Sequence, residues 1–387
     1  MSTNALSSDT GIIEIEPHEA LTHLRAGALL IDVREPDERA AGMPRDAIGI
    51  ARVALAAEIV ALASDRSTEL MTLCASGQRS LLARQQLLEL GYSRVVSVRG
   101  GFNRWRAEGL PLADGSVDED FSQRYARHLV LPEVGLSGQL CLAKASVVLV
   151  GAGGLGSPAA LYLAAAGVGK LILIDDDHVE RSNLQRQVVH TDARIGMAKT
   201  ESARIALSAL NPAIVIETRQ TRVVAENVES LLRGHDLIID GADNFPTRYL
   251  LDAACRQLGL PMIYAAVHRF SGQVSVFDSR RSDSPCYRCL FPQPPSAAEA
   301  PNCSEAGVLG VLPGIMGLLQ ANEAIKLLLK QGRPLVGRLL CFDALDASFR
   351  ELRLSRDPLC PGCGDAARFA DYEDLAKLCL GNPECTP

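Results

Sequence analysis

Residues 146–186 constrain this chain more than any other stretch. A β-branched apolar run, Ser146 to Val150, passes through Gly151, Ala152, Gly153, Gly154, Leu155 and Gly156 into an Ala/Leu-rich segment that predicts a helix from about Pro158 to Ala166. A second apolar strand, Lys170 to Ile174, ends in Asp175, Asp176 and Asp177. Strand, glycine turn, helix and strand-end acid form a βαβ unit that suits a nucleotide. Glycines let backbone approach a phosphate, the helix N-terminus supplies free N–H groups, and the acid can accept from ribose hydroxyls. By itself the unit fits a dinucleotide or ATP.

Downstream, strand and helix signals keep alternating. Helices are expected at Ala198–Leu210, Ala225–Leu232 and Pro246–Leu258, with strands at Ile214–Thr218, Leu237–Asp240 and Met262–Ala266. This alternation predicts a doubly wound, mostly parallel α/β sheet, Rossmann-like, and strands at 272–277, 338–342 and 348–353 suggest an antiparallel extension. Upstream lies a smaller α/β pattern over residues 11–113, after a polar N-terminus at 1–10. Strands are expected at 11–16, 28–34, 70–73 and 94–98, and helices at Pro17–Arg25, Ala54–Ala63 and Ser80–Leu90. Residues 114–120 are polar and read as a linker, residues 121–364 as the larger domain, and 365–387 as a C-terminal tail with no assigned role.

The 387 residues carry a net charge of -7 with no basic run, which argues against nucleic acid and anionic membranes as partners. The first ten residues lack a signal-peptide pattern and no segment is long and apolar enough for a membrane span, so a cytoplasmic location is expected. Eleven cysteines then point to metal or sulfur chemistry rather than to a disulfide framework.

Their positions sort them. Cys74 ends an apolar strand and opens the loop Cys74-Ala75-Ser76-Gly77-Gln78-Arg79 before a helix, where backbone N–H groups, the helix N-terminus and Arg79 all favour thiolate. Cys286/Cys289 and Cys360/Cys363 are two CxxC knuckles that could donate four thiolates to one tetrahedral Zn2+, leaving no open position for catalysis. Cys303 lies on an expected loop before a long apolar helix. Cys141, Cys255 and Cys341 sit in apolar stretches and are expected to be buried; Cys379 and Cys385 fall in the tail.

A dehydrogenase would need a hydride-transfer site, and nothing after the fold's first half offers a recognisable one. Asn183, Arg186 and Gln187 follow the acidic strand end, Lys199 begins a helix, and Asp243-Asn244 follow the strand Leu237–Asp240. Cations converging on strand ends suit a triphosphate, and a nearby Asp suits its Mg2+.

Two resemblances follow from these motifs. Residues 11–113 resemble a rhodanese domain through IDVREPDE at 31–38, the CxxGxRS loop at 74–80 and VVSVRGGFNRWRAEGLPL at 95–112. The resemblance implies that Cys74 accepts sulfane sulfur as a persulfide, stabilised by Arg79 and the loop amides. The family's usual His-Ile-Pro-Gly-Ala segment is here Met43-Pro44-Arg45-Asp46-Ala47. Residues 119–364 resemble the adenylating domain shared by MoeB, ThiF and the ubiquitin-activating enzymes, through RYARH, the glycine-turn stretch, GMAK, GADN, PCYRCL, CSEAGVLGVLPG and CPGC in that order.

This second resemblance implies that Gly151, Gly153, Gly154 and Gly156 form the phosphate turn of an ATP site. It further implies that Asp175 binds ribose, that Asn183, Arg186, Gln187 and Lys199 surround the triphosphate, and that Asp243 holds Mg2+. Arg127 would reach into the partner's site across a homodimer, beside His128 where glutamine is usual. Zn2+ on the four knuckle cysteines would be structural, and Cys303 matches an acceptor cysteine. The expected activity is ATP-dependent adenylation of the C-terminal Gly-Gly of a ubiquitin-like sulfur carrier protein, then sulfur transfer from a rhodanese persulfide charged by a persulfide or thiosulfate donor. Molybdopterin synthase's small subunit is the carrier most strongly suggested, and the carrier of a thiazole pathway or of another sulfur-bearing metabolite the alternative. A nucleotide-dependent oxidoreductase would leave the zinc knuckles, Arg127 and the Cys74 loop unexplained, and a third reading is a non-catalytic scaffold that binds a carrier and ATP without turnover, which failure of pyrophosphate exchange with every carrier would favour.

Overall fold

The computed structural model describes residues 13–40, 42–113, 119–294, 307–369 and 371–375. The chain divides into two compact units, Met1–Leu140 and Cys141–Pro387.

The first unit is built on a five-stranded parallel sheet. Its strands are β1 (Glu14–Ile15), β2 (Leu29–Asp32), β3 (Ile48–Gly49), β4 (Leu70–Leu73) and β5 (Val95–Val98), in the order β1-β5-β4-β2-β3. Alternate residues feed two cores, as the two-residue period of a strand requires. Leu30, Met71, Leu73, Val96 and Val98 pack with Phe102 and Trp105, while Ile31, Leu70 and Val95 pack with Leu55, Ile59, Ala83 and Leu87. Because β4 is central and buried on both faces, its C-terminal end can present Cys74 from a rigid base. The strand β3 and the helices Pro36–Ala40 and Gly101–Ala107 are too short for periodicity in the sequence to reveal.

The second unit holds an eight-stranded sheet. It comprises β6 (Ser146–Val150), β7 (Lys170–Ile174), β8 (Val215–Arg219), β9 (Leu237–Asp240), β10 (Pro261–His268), β11 (Ser271–Asp278), β12 (Arg338–Asp343) and β13 (Ser348–Arg353), in the order β13-β12-β11-β10-β9-β6-β7-β8. From β8 to β10 the pairings are parallel, and from β10 to β13 antiparallel, so the expected extension is present. Val147, Leu149, Leu171, Leu173 and Ile239 face one core with the helices Gly156–Ala165 and Val311–Leu329. Val148, Val150, Ile172, Ile174 and Ile238 face another with the helices Val228–Leu232 and Phe245–Leu258. Strands buried on both faces are the mark of a doubly wound sheet. Its order reverses at β6, with β7 on one side and β9 on the other, and such a switch point opens a crevice at the strand C-termini.

Beyond β13, Leu375 is buried in the core that holds Val228, Leu232 and Leu250, and Phe369 meets Tyr372 edge-on with ring centroids 4.8 Å apart. Among the described residues, no helix is long and apolar enough to cross a membrane.

Candidate active site

The glycine turn leaves β6 directly at the switch point. Gly151 has φ +95°, and a Cβ there would stand 2.5 Å from Gly241 O at the end of β9; a Cβ on Gly156 would stand 1.9 Å from Gly151 O. Only hydrogen fits at both positions, so the turn can close tightly and start the helix Gly156–Ala165 beneath it. Gly153 and Gly154 serve differently. A Cβ on Gly153 would meet only Gln187, at 3.4 Å, and one on Gly154 would touch Pro313 at 3.0 Å and Arg186 at 3.7 Å. The expected phosphate turn therefore has Arg186 and Gln187 at its side.

Asn183 organises that side. Its Oδ1 accepts from Arg186 Nη2 at 3.1 Å and from Gln187 Nε2 at 3.2 Å. Gln187 is buried, yet its Oε1 has no hydrogen-bond partner among the described residues. A buried acceptor left unpaired beside an open glycine turn is what a hydrogen-bonding ligand would satisfy. Asp175 Oδ2 accepts from the Ala152 N–H at 2.7 Å, and its other oxygen accepts from Asp177 N–H at 2.9 Å. Burial pushes the Asp175 carboxyl above its ordinary range, opposed by the charge of Lys199 and by these N–H groups. Lys199, itself buried, donates from Nζ to Asp177 Oδ2 at 2.6 Å.

Asp243 is exposed beyond the end of β9. Asn244 caps the helix Phe245–Leu258, its Oδ1 accepting from Thr247 N–H at 3.0 Å, which by itself accounts for an Asn at that position. Just below lie two residues that sequence reasoning did not single out. Asp240 and Arg248 are buried 3.5 Å apart, and Arg248 Nη2 donates to Ala242 O at 2.7 Å. Desolvation pushes Asp240 up to about 6, with Arg248 acting against it. His190 was also missed; its only signal is its place between Gln187 and Lys199.

In the first unit, Cys74 is 1% exposed at the end of β4, and its Sγ accepts from Gly77 N–H at 3.2 Å. The loop backbone is braced from behind, since Phe102 N–H donates to Cys74 O at 2.7 Å and Asn103 N–H to Ala75 O at 3.0 Å. A Cβ on Gly101 would stand 2.1 Å from Cys74 O, so this approach requires glycine. Arg79 has the Cys74 sulfur within electrostatic reach but is held elsewhere: its two terminal nitrogens donate to Glu38 at 2.6 and 2.5 Å. The loop amide, rather than the guanidinium, is the group in contact with sulfur. Arg127 is exposed on the short helix Ala126–Leu129, and the neighbouring His128 pairs with Gln139 at 2.8 Å. Cys303 lies outside the described residues.

The two knuckles meet. Cys286 and Cys360 sulfurs are 3.6 Å apart, Cys289 and Cys363 3.3 Å, and Cys286 and Cys289 4.0 Å. Tetrahedral Zn–S bonds of about 2.3 Å set sulfurs about 3.8 Å apart, so the quartet has the dimensions of a four-thiolate site. Cys289 Sγ also accepts from Cys286 and Asp357 N–H, and Cys360 Sγ from Gly362 N–H. Such backbone donors orient thiolates at a metal. The remaining cysteines correct one expectation. Cys255 is buried and desolvation raises its pKa, but Cys341 is only half-buried and Cys141, on the helix Gly135–Lys144, is exposed with its Sγ 3.4 Å from Leu328 O.

Comparison with known proteins agrees with this architecture. The model of the ThiF family matches residues 125–362, and that of the rhodanese-like domain matches residues 16–108. The chain belongs to the ThiF family, with a rhodanese-like domain ahead of the family's domain. It is 50% identical over 269 residues to the SAMP-activating enzyme E1 of Haloferax volcanii, covering 68% of this chain and 98% of the relative. It is 49% identical over 259 residues to the sulfur carrier protein adenylyltransferase of Thermus thermophilus, covering 66% of this chain and 96% of the relative. The maize adenylyltransferase and sulfurtransferase MOCS3-2 is 45% identical over 266 residues, 68% of this chain and 55% of its own length. Among solved structures, Escherichia coli MccB with ATP matches at a TM-score of 0.55 and 23% identity, over 68% of this chain and 80% of that one, a likeness of fold.

Proposed function

We propose that this chain adenylates the C-terminal glycine of a ubiquitin-like sulfur carrier and then converts it to a thiocarboxylate. One observation carries the reading: a family fold for adenylation and a rhodanese-type sulfur loop occur in one polypeptide. Making a thiocarboxylate requires both a better leaving group than hydroxide and a sulfur donor.

In this reading ATP lies along the glycine turn with its ribose on Asp175, and Asn183, Arg186, Gln187 and Lys199 surround the phosphates. Lys199 would exchange its contact with Asp177 for phosphate oxygens. Mg2+, held through Asp243, would supply further charge neutralisation. The carrier carboxylate attacks the α-phosphate, and acyl adenylate and pyrophosphate form; the cationic side chains stabilise charge developing on phosphate by preorganised electrostatics. Arg127 of a homodimer partner would complete the site. In the other domain the Cys74 thiolate attacks the sulfane sulfur of a persulfide or thiosulfate, breaking the donor's S–S bond and releasing its thiolate or sulfite. The resulting persulfide attacks the acyl carbon and displaces AMP. A second thiolate, with Cys303 the candidate, then attacks the Cys74 sulfur, so that the thiocarboxylate leaves with the electron pair and a disulfide remains. Zn2+ on Cys286, Cys289, Cys360 and Cys363 is structural. A molybdopterin-type carrier is preferred over a thiazole-type one.

The test measures ATP–pyrophosphate exchange and, by intact mass, thiocarboxylate on each candidate carrier. Asp243→Ala is expected to lose both, whereas Cys74→Ala keeps exchange and loses only the thiocarboxylate. Equal loss of exchange in the two variants would refute the division of labour.

A further inference from the structure

His190 takes no part in the chemistry above, yet it is 5% exposed and both its ring nitrogens are engaged. Nε2 lies 3.0 Å from Ala152 O, and Nδ1 lies 2.9 Å from Ser202 Oγ. A carbonyl only accepts, so Nε2 carries the proton and Nδ1 accepts from the Ser202 hydroxyl. Burial favours this neutral ring and holds its pKa down to about 4, with the nearby charges of Lys199 and Arg194 also opposing protonation.

The two ends of this bridge matter. Ala152 is the second residue of the glycine turn, and its own N–H is the group that donates to Asp175 at 2.7 Å. Both polar groups of one turn residue are thus held by buried or half-buried side chains, the N–H by the strand-end carboxylate and the C=O by the imidazole at 3.0 Å together with the Ser157 hydroxyl at 3.2 Å, of which only the imidazole reaches across to the helix of Lys199. Ser202 stands three residues beyond Lys199 in the helix Lys199–Leu210. The imidazole is therefore a strut between the turn and the helix that carries the lysine. Arg194 braces the same helix turn, with Nη1 2.7 Å from Ser202 O.

We infer that His190 is a positioning residue that sets the spacing and orientation of the glycine turn relative to Lys199, so that a nucleotide's phosphates meet a preformed cradle. The inference rests on reading that turn as the ATP site. A cradle fixed before binding saves the ligand the cost of ordering it.

Three substitutions separate positioning from packing. His190→Gln keeps an amide N–H at the reach of Nε2, His190→Asn places its amide only at the reach of Nδ1, and His190→Ala keeps neither. ATP binding is measured by calorimetry on the full chain, with thermal midpoints alongside. The Asn and Ala variants are expected to bind ATP about tenfold more weakly, the loss of one buried hydrogen bond, and the Gln variant to recover most of the affinity. Ser202→Ala, which leaves the ring in place but frees it to turn, is expected to fall between. Equal ATP affinity in the Gln and Asn variants, or affinities that follow thermal midpoint rather than the reach of the amide, would overturn the proposal. If the parent chain binds no ATP, the nucleotide reading itself has failed; if the parent binds ATP and the Gln and Asn variants bind it equally, only the role given to His190 has failed.

Discussion

Removing one sulfur from the cysteine quartet tests the metal site and its structural role together. Cys360 is 2% exposed, its Sγ is 3.6 Å from that of Cys286, and 74 residues separate the two along the chain. Substituting Cys360→Ser leaves three thiolates and a hard oxygen, a poorer donor set for Zn2+. The clip it breaks joins the knuckle after β11 to the knuckle after β13, across all the chain between. Treated as a cross-link, closing a loop of roughly 75 residues costs the unfolded chain about 4 kcal/mol, which the folded protein no longer gains once the clip is lost. That is a large fraction of a typical domain's stability. One zinc per chain is expected in the purified protein by metal analysis, lost in Cys360→Ser and on incubation with a strong chelator. Urea unfolding is expected to move to a lower midpoint in proportion, and the segment Phe369–Leu375, which follows the second knuckle, to become open to protease. Absence of zinc from the parent protein, or an unchanged urea midpoint in a zinc-free variant, would refute the reasoning.

Three further outcomes follow from the geometry. Gly156→Ala is expected to disrupt the turn, because its Cβ would meet Gly151 O at 1.9 Å, whereas Gly153→Ala, whose Cβ would meet only Gln187 at 3.4 Å, is expected to fold with an unchanged thermal midpoint. The second contact concerns Glu38, whose carboxyl is held down to about 2 chiefly by hydrogen bonds from Arg79. Because the folded value is depressed below the ordinary 4.5, the pair's contribution is complete above about 4.5 and is lost as pH falls through about 2, which a carboxyl titration by NMR would follow. Glu38→Gln frees the Arg79 charge beside the sulfur loop, and a lower KM for the dianion thiosulfate is expected; an unchanged KM would show that Arg79 does not meet the donor.

Much of this protein was legible along the chain because its signals are local. Strand β6, strand β7 and strand β4 run over the very residues that their apolar runs predict, and the helix Pro17–Arg25 begins at its proline. The glycine turn, the strand-end acid and the two CxxC pairs announce chemistry through residue type and short spacing alone. Sheet order is another matter. That β9 pairs with β6, while β8 is sent to the edge beyond β7, depends on crossover connections that no window of residues contains. The same holds for contacts that bring together positions separated along the chain within each unit: His190 with Ala152 and Ser202, Asp240 with Arg248, and, in the first unit, Arg79 with Glu38 rather than with Cys74. A polar side chain's role depends on what stands opposite it after folding. The four cysteine sulfurs illustrate both halves, since each pair is a local pattern of i and i+3, but only the fold closes the 74-position offset and brings Cys286 to 3.6 Å from Cys360 and Cys289 to 3.3 Å from Cys363.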